Sequence, residues 1–132
     1  MDITTYSSYF LLAGRVLIGF YFFFFVFWNG YHWRPTLDAM RLRKIPSTLA
    51  FPVMIFGLFL EGVTGLMIMF GIYTGYAALL LILFDIVASF IFHPFWIMEW
   101  GVVRTLNTII FIGNLTMTLG GLLLLVGISA MI

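Results

Sequence analysis

Four long apolar runs dominate the chain, and short polar or basic connections separate them. The runs cover about 9–28, 49–70, 75–93 and 105–128. A membrane-spanning helix needs about 20 apolar residues, and a run of this length can satisfy its backbone polar groups in lipid only as a helix. The pattern predicts an all-α membrane protein, a single domain over residues 1–132 that forms a four-transmembrane-helix bundle.

The first connection predicts a short interfacial helix, because Pro35 can begin a helix and Pro46 must end one. Between these prolines, apolar Leu37, Met40 and Ile45 alternate with Asp38, Arg41, Arg43 and Lys44. We expect the apolar side of this helix to lie in the lipid and the basic side to face anionic head groups. A basic loop that only fixes the orientation of the protein is the alternative.

The distribution of basic residues predicts the topology. Arg34, Arg41, Arg43, Lys44 and Arg104 all fall in the first and third connections. These connections lie on the same side of the membrane, which the positive-inside rule assigns to the cytoplasm. Both termini are therefore predicted to lie outside the cytoplasm.

The composition excludes several classes of function. The chain is 64% hydrophobic and 8% charged, whereas soluble domains carry about 25% charged residues. The net charge of +1 gives no reason to expect nucleic acid as a partner, and the absence of cysteine excludes thiol chemistry within the chain. We predict no catalytic residue, no metal site and no cofactor held by this chain alone.

Glu61 is the sole charge in the second apolar run, and it is the feature around which the sequence is organised. A carboxylate at mid-membrane depth costs roughly 2.5–3.5 kcal/mol on insertion scales, so such a group usually faces the bundle interior and finds a partner. Asp85 in the third run lies at a similar depth, and Arg15 in the first run lies about 5 Å nearer the outer surface, a gap that its long side chain spans. We predict a buried charge cluster in which Arg15 pairs with Glu61, Asp85 or both. The cluster would handle protons or a ligand head group, or would only specify helix packing.

Small and polar residues at helical spacing predict close packing between the helices. Gly57 and Gly65 flank Glu61 on one face of the second run, and Asn114 and Gly121 lie seven residues apart in the fourth. Small residues let helix backbones approach closely in lipid, and amide side chains bond between helices. We therefore expect these four positions to face neighbouring helices.

His93, Trp96 and His32 lie at the predicted cytoplasmic interface and form a second candidate site. Histidines at this depth could contact a quinone or a lipid head group, with tryptophans as walls. A haem held by both histidines is a weaker alternative, and a histidine that only bonds to neighbouring protein groups is the plainest one.

Several motifs resemble those of the DoxX family of small membrane proteins. The resemblance rests on Arg15, Asn29-Gly30, the segment 60–74 with Leu60-Glu61 and Gly65, the segment 92–96, and Asn107 with Asn114 in the fourth run. Two positions depart from the family pattern, since Thr64 stands before Gly65 and Trp33 occupies a position that is usually basic. The resemblance covers almost the whole chain and implies a four-helix protein of the inner (plasma) membrane.

The resemblance also implies a function: an accessory subunit of a respiratory or redox membrane complex that contacts quinone. Expected partners are the lipid bilayer and either other membrane subunits or further copies of this chain. Two alternatives remain open. One is a small transporter or proton path that uses Arg15, Glu61 and Asp85, and the other is a purely structural partner in a larger membrane complex.

Overall fold

The computed structural model describes residues 3–129, and these residues form helices joined by short turns. The α-helices are α1 (Ser7–Tyr31), α2 (Trp33–Leu42), α3 (Ser47–Phe70), α4 (Thr74–Phe92), α5 (Val102–Gly113) and α6 (Leu119–Ile128). Short 3-10 turns occupy Ile3–Tyr6 and Phe95–Ile97, and a π-helical turn, Asn114–Thr118, joins α5 to α6.

Four segments are long and apolar enough to cross a membrane: Thr4–Tyr31, Ser47–Phe70, Thr74–Ile97 and Val102–Ile128. They contain the four runs predicted from the sequence, so the all-α, four-helix fold is confirmed. The protein is a multi-pass membrane protein whose exposed apolar side chains contact lipid. Its orientation and its particular membrane stay predictions.

The connection between α3 and α4 is tight because α3 ends in a Schellman motif. Gly71 adopts a left-handed conformation with φ of 72°, which glycine reaches without steric cost. The amide of Ile72 donates to the Met67 carbonyl and that of Gly71 to the Ile68 carbonyl. This turn marks one end of the bundle, and α2 marks the other.

The spanning helices are neighbours in chain order, and the closest packing joins α1 to α3. Gly19 and Gly65 meet at this contact. A Cβ atom added to Gly19 would lie 2.5 Å from the Gly65 carbonyl oxygen, and one added to Gly65 would lie 3.0 Å from the Gly19 carbonyl oxygen. The two backbones therefore touch directly, which is how small residues let helices associate in lipid.

Two apolar clusters stabilise the bundle, one towards each end. Phe22, Ile68, Ala77, Ala78, Leu81, Leu122 and Leu125 form the first cluster, and Leu37, Met40, Ala50 and Met54 form the second, at the α2 end. Along α3, Met54 belongs to one cluster and Ile68 to the other. Glu61 lies seven residues from each on the same helix face, so the carboxylate is held between the two apolar clusters.

The helix predicted in the first connection is present as α2, but its predicted orientation towards lipid is wrong. Leu37 and Met40 are buried, with 6% and 2% of their surface exposed, against Ala50 and Met54 of α3. Ile45 packs at the edge of the same cluster. The apolar side of α2 covers the end of the bundle instead of entering the lipid, because the ends of α3 and α4 leave apolar surface there.

Removal of the Met40 side chain tests this packing. Replacement of a buried methionine by alanine typically costs about 2–5 kcal/mol, so Met40→Ala should lower the midpoint of thermal unfolding in detergent by several degrees. Leu42→Ala is the matched control on the same helix, since Leu42 is 83% exposed. If both variants unfold at the same temperature, α2 is not docked on the bundle.

The fourth spanning segment is not a continuous α-helix, although its apolar pattern predicts one unbroken span. Its π-helical turn begins at Asn114, and the Thr116 hydroxyl donates to the Ile112 carbonyl within the same stretch. Single π turns are often found at functional sites. A π turn adds about one residue to an α-helical turn, which corresponds to roughly 100° of rotation of the helix that follows.

Candidate functional site

A cavity of about 450 Å³, which we call the central cavity, lies among all four spanning segments, between the two apolar clusters. Its polar lining comprises Tyr21, Asn29, His32, Thr36, Glu61, Asp85, His93 and Asn114. Its apolar walls comprise Phe22, Phe25, Trp28, Pro35, Phe84, Ala88, Phe92 and Ile110. This volume is within the usual range of small-molecule sites, and the apolar walls with a few polar groups are typical of them.

Glu61 and Asp85 enter this cavity from neighbouring helices, with 4% and 5% of their surface exposed. Glu61 Oε2 and Asp85 Oδ2 are buried and have no hydrogen-bond partner within the described residues. An ionised carboxylate that is buried without a partner is costly. The two acids therefore require either a proton or a ligand that donates hydrogen bonds.

The two histidines line the cavity at its α2 end, and each uses its Nδ1 atom in a hydrogen bond with the protein. Nδ1 of His32 donates to the Trp28 carbonyl at 2.8 Å, and Nδ1 of His93 donates to Oδ1 of Asn107 at 2.8 Å. The Asn107 amide nitrogen donates to the Val103 carbonyl, which fixes its oxygen as the acceptor. In each neutral imidazole, Nε2 then carries the lone pair and can accept a hydrogen bond.

Arg15 does not form the ion pair predicted for it. Within residues 3–129 the ion pair shorter than 4.0 Å is Arg41–Asp38, on the exposed side of α2. The Arg15 guanidinium lies instead against the α3–α4 turn, where a Cβ built on Gly71 would lie 3.0 Å from its Cζ.

Helix direction explains why Arg15 does not meet Glu61. Side chains of an α-helix tilt towards its N-terminus, and α1 and α3 run in opposite directions. Arg15 therefore tilts towards the α3–α4 turn, whereas Glu61 tilts towards α2. Depth along the helix axis, which the prediction used, does not account for this divergence.

The remaining predicted residues divide into those that line the cavity and those that do not. His32, His93 and Asn114 line it, but Trp96 does not; Trp96 packs with Phe111 and other aromatic rings beside it. Three of the four predicted packing residues are glycines, and each of them faces a neighbouring helix. Gly65 touches α1 closely, whereas a Cβ on Gly57 or Gly121 would meet Phe84 or Ile18, respectively, at 3.4 Å.

Two polar lining residues of α1 were not singled out as site residues from the sequence, and neither was Thr36 of α2. Tyr21 carries the one hydroxyl in the aromatic stretch 20–25, and that interruption was the available signal. Asn29 was noted only as part of a family motif, yet it lines the cavity. Both lie on the α1 face that also carries Phe22 and Phe25.

The charges around the cavity favour a ligand that donates hydrogen bonds. No lysine or arginine lines it in the described part of the chain, while the lining residues Glu61, Asp85, His32 and His93 carry carboxyl oxygens and Nε2 atoms that can accept hydrogen bonds. The amides of Asn29 and Asn114 add both donors and acceptors. The site is therefore a polar, acceptor-rich chamber with aromatic walls inside a membrane bundle.

No family model, curated protein or solved structure matches the chain. The resemblance to the DoxX family therefore stays a prediction that rests on the motifs quoted above. The class that the fold establishes is that of a four-helix, multi-pass membrane protein.

Proposed function

We propose that the protein binds the head group of a quinol in the central cavity and acts as a quinol-contacting subunit of a membrane redox assembly. The observation that carries this proposal is the excess of hydrogen-bond acceptors in an aromatic-walled cavity. A quinol ring is flat, apolar on its faces and bears two hydroxyl donors at opposite edges. Phe25, Trp28 and Phe92 supply walls for the ring.

The acceptors come from different helices, so they can serve the two hydroxyls separately. His93 extends from the end of α4 and is held by Asn107 of α5, whereas Glu61 extends from α3. One hydroxyl donates to His93 Nε2 and the other to a carboxylate oxygen. The oxidised quinone has no hydroxyl to donate, so it can only accept hydrogen bonds, from the amides of Asn29 and Asn114, the Tyr21 hydroxyl or an acid that holds a proton.

The proposal is tested by comparison of the two redox forms of one ligand. A decyl-benzoquinol and its quinone are titrated anaerobically into the purified protein by isothermal calorimetry. Two additional hydrogen bonds of about 1 kcal/mol each give the quinol an affinity more than about tenfold higher. Equal affinity for both forms, or tighter binding of the quinone, contradicts the proposal, as does the absence of binding by either form.

Proton or cation transport is a second candidate, and the partnerless oxygens of Glu61 and Asp85 favour it. The cavity reaches these acids from the α2 end, where His32 lines it. Beyond them the cluster around Phe22, Ile68 and Leu81 closes the bundle, so transport requires that cluster to open. Proteoliposomes with an internal pH dye test this candidate: Glu61→Gln should abolish a proton flux that the wild-type protein supports.

A further inference from the structure

We infer that the lateral groove between α3 and α4 holds the hydrocarbon tail of the ligand whose head group occupies the central cavity. The inference rests on the proposed function and names the ligand class more narrowly: a tailed quinol that enters from the bilayer. The lateral groove has a volume of about 430 Å³, and its lining is almost entirely apolar.

The lateral groove opens to the lipid. Val53, Leu83 and Val87 lie on its walls, with 46%, 63% and 57% of their surfaces exposed in the apolar span of the bundle. On α4 it extends from Leu80 to Phe92, roughly 18 Å at about 1.5 Å per residue. This length exceeds half the thickness of a hydrocarbon core of about 30 Å, so an extended tail can lie along it.

The lateral groove adjoins the central cavity, and the residues that the two share indicate the kind of occupant. Six residues line both: Asn29, Thr36, Glu61, Phe84, Ala88 and Phe92. Glu61 therefore lies at the junction between a polar chamber and an apolar groove. A molecule that fills both has a hydrogen-bonding head joined to an apolar tail, which neither a protein helix nor a detached acyl chain provides.

The groove positions the ligand more than it adds hydrophobic affinity. Lipid tails are as apolar as leucine side chains, so moving a tail from the bilayer into the groove changes its apolar environment little. If a side chain blocks the groove, however, the tail cannot follow the route that leads to Glu61. We therefore expect the block to weaken the binding of a tailed quinol and to leave the binding of a tail-less quinol unchanged.

Gly57→Leu supplies the block. A Cβ atom at position 57 meets Phe84 at 3.4 Å, and the rest of a leucine side chain extends into the groove. Gly14→Leu is the matched control, since a Cβ there meets nothing within 4 Å. We expect Gly57→Leu to weaken decyl-benzoquinol binding about tenfold and to leave a tail-less benzoquinol unchanged, whereas Gly14→Leu changes neither, because only the first variant removes groove volume.

A labelling experiment on the wild-type protein keeps the test independent of that variant's folding. A quinol with a photoreactive diazirine on its tail is irradiated with the protein, and labelled residues are mapped by mass spectrometry. Labels on groove residues such as Leu83 and Val87 support the inference. Labels confined to residues outside the groove, such as those of α6, or an equal penalty for tailed and tail-less quinols, overturn it while quinol binding itself stands. If no quinol binds, the proposed function fails and the inference fails with it.

Discussion

Gly19→Ala should destabilise the protein strongly, although alanine is usually the better helix former. A Cβ atom at position 19 would lie 2.5 Å from both the Gly65 carbonyl oxygen and Met69 Cγ, a separation that requires α1 and α3 to move apart. Overpacking of this kind typically costs about 1–3 kcal/mol, and a backbone contact leaves little room for relaxation. The midpoint of thermal unfolding in detergent should fall by several degrees.

Gly14→Ala makes the same chemical change five residues earlier on α1 and should have the opposite sign. A Cβ atom there meets nothing within 4 Å, so only the helix-propensity gain of about 0.5–1 kcal/mol remains. Opposite shifts for the two variants identify the α1–α3 contact as the cause. Similar shifts for both would show that the backbones do not meet at Gly19.

Glu61→Gln should weaken quinol binding by about 10–100-fold, and Asp85→Asn, which removes no bond to the quinol, should weaken it less. Each substitution keeps the shape of the side chain but replaces an acceptor oxygen with an amide donor. Hydrogen bonds to a charged group contribute about 1.5–3 kcal/mol, which corresponds to that change in affinity. Calorimetric titration with decyl-benzoquinol measures it.

Thermal unfolding of the same variants separates this role from a structural one. Glu61 has no ion-pair partner within residues 3–129, so Glu61→Gln should leave the unfolding midpoint unchanged or raise it. Glu99→Gln, at an exposed carboxylate outside the cavity, is the matched control for binding. A large loss of stability with unaltered quinol affinity would instead assign Glu61 to helix packing.

The spans could be predicted from the sequence because lipid imposes a simple rule on length and composition. A run of about 20 apolar residues must cross as a helix, and Pro46 and Gly71 mark boundaries that follow from backbone chemistry. Glu61 was found in the same way, since a single acid in an apolar run has few places to lie. Each of these features is determined by the residues of a single segment.

Features that depend on the contact between two segments were harder to predict. The apolar side of α2 packs on α3 and not on lipid, because both environments are apolar and the sequence does not distinguish them. Arg15 failed to meet Glu61 because antiparallel helices tilt their side chains in opposite directions. The π turn at Asn114 shifts the register of the helix that follows, and no residue in that run requires such a turn.

The central claim is that a ligand donates hydrogen bonds to acceptors fixed in the cavity, and the ring nitrogens of His93 report on this directly. Nitrogen-15 NMR of histidine-labelled protein, assigned with His93→Gln and His32→Gln, is the measurement. We expect both rings to be protonated at Nδ1 in the free protein, because those atoms donate to Asn107 and Trp28. Saturation with decyl-benzoquinol should then shift the Nε2 signal of His93. Protonation at Nε2 in the free protein, or an Nε2 signal that saturating quinol leaves in place, would contradict the account.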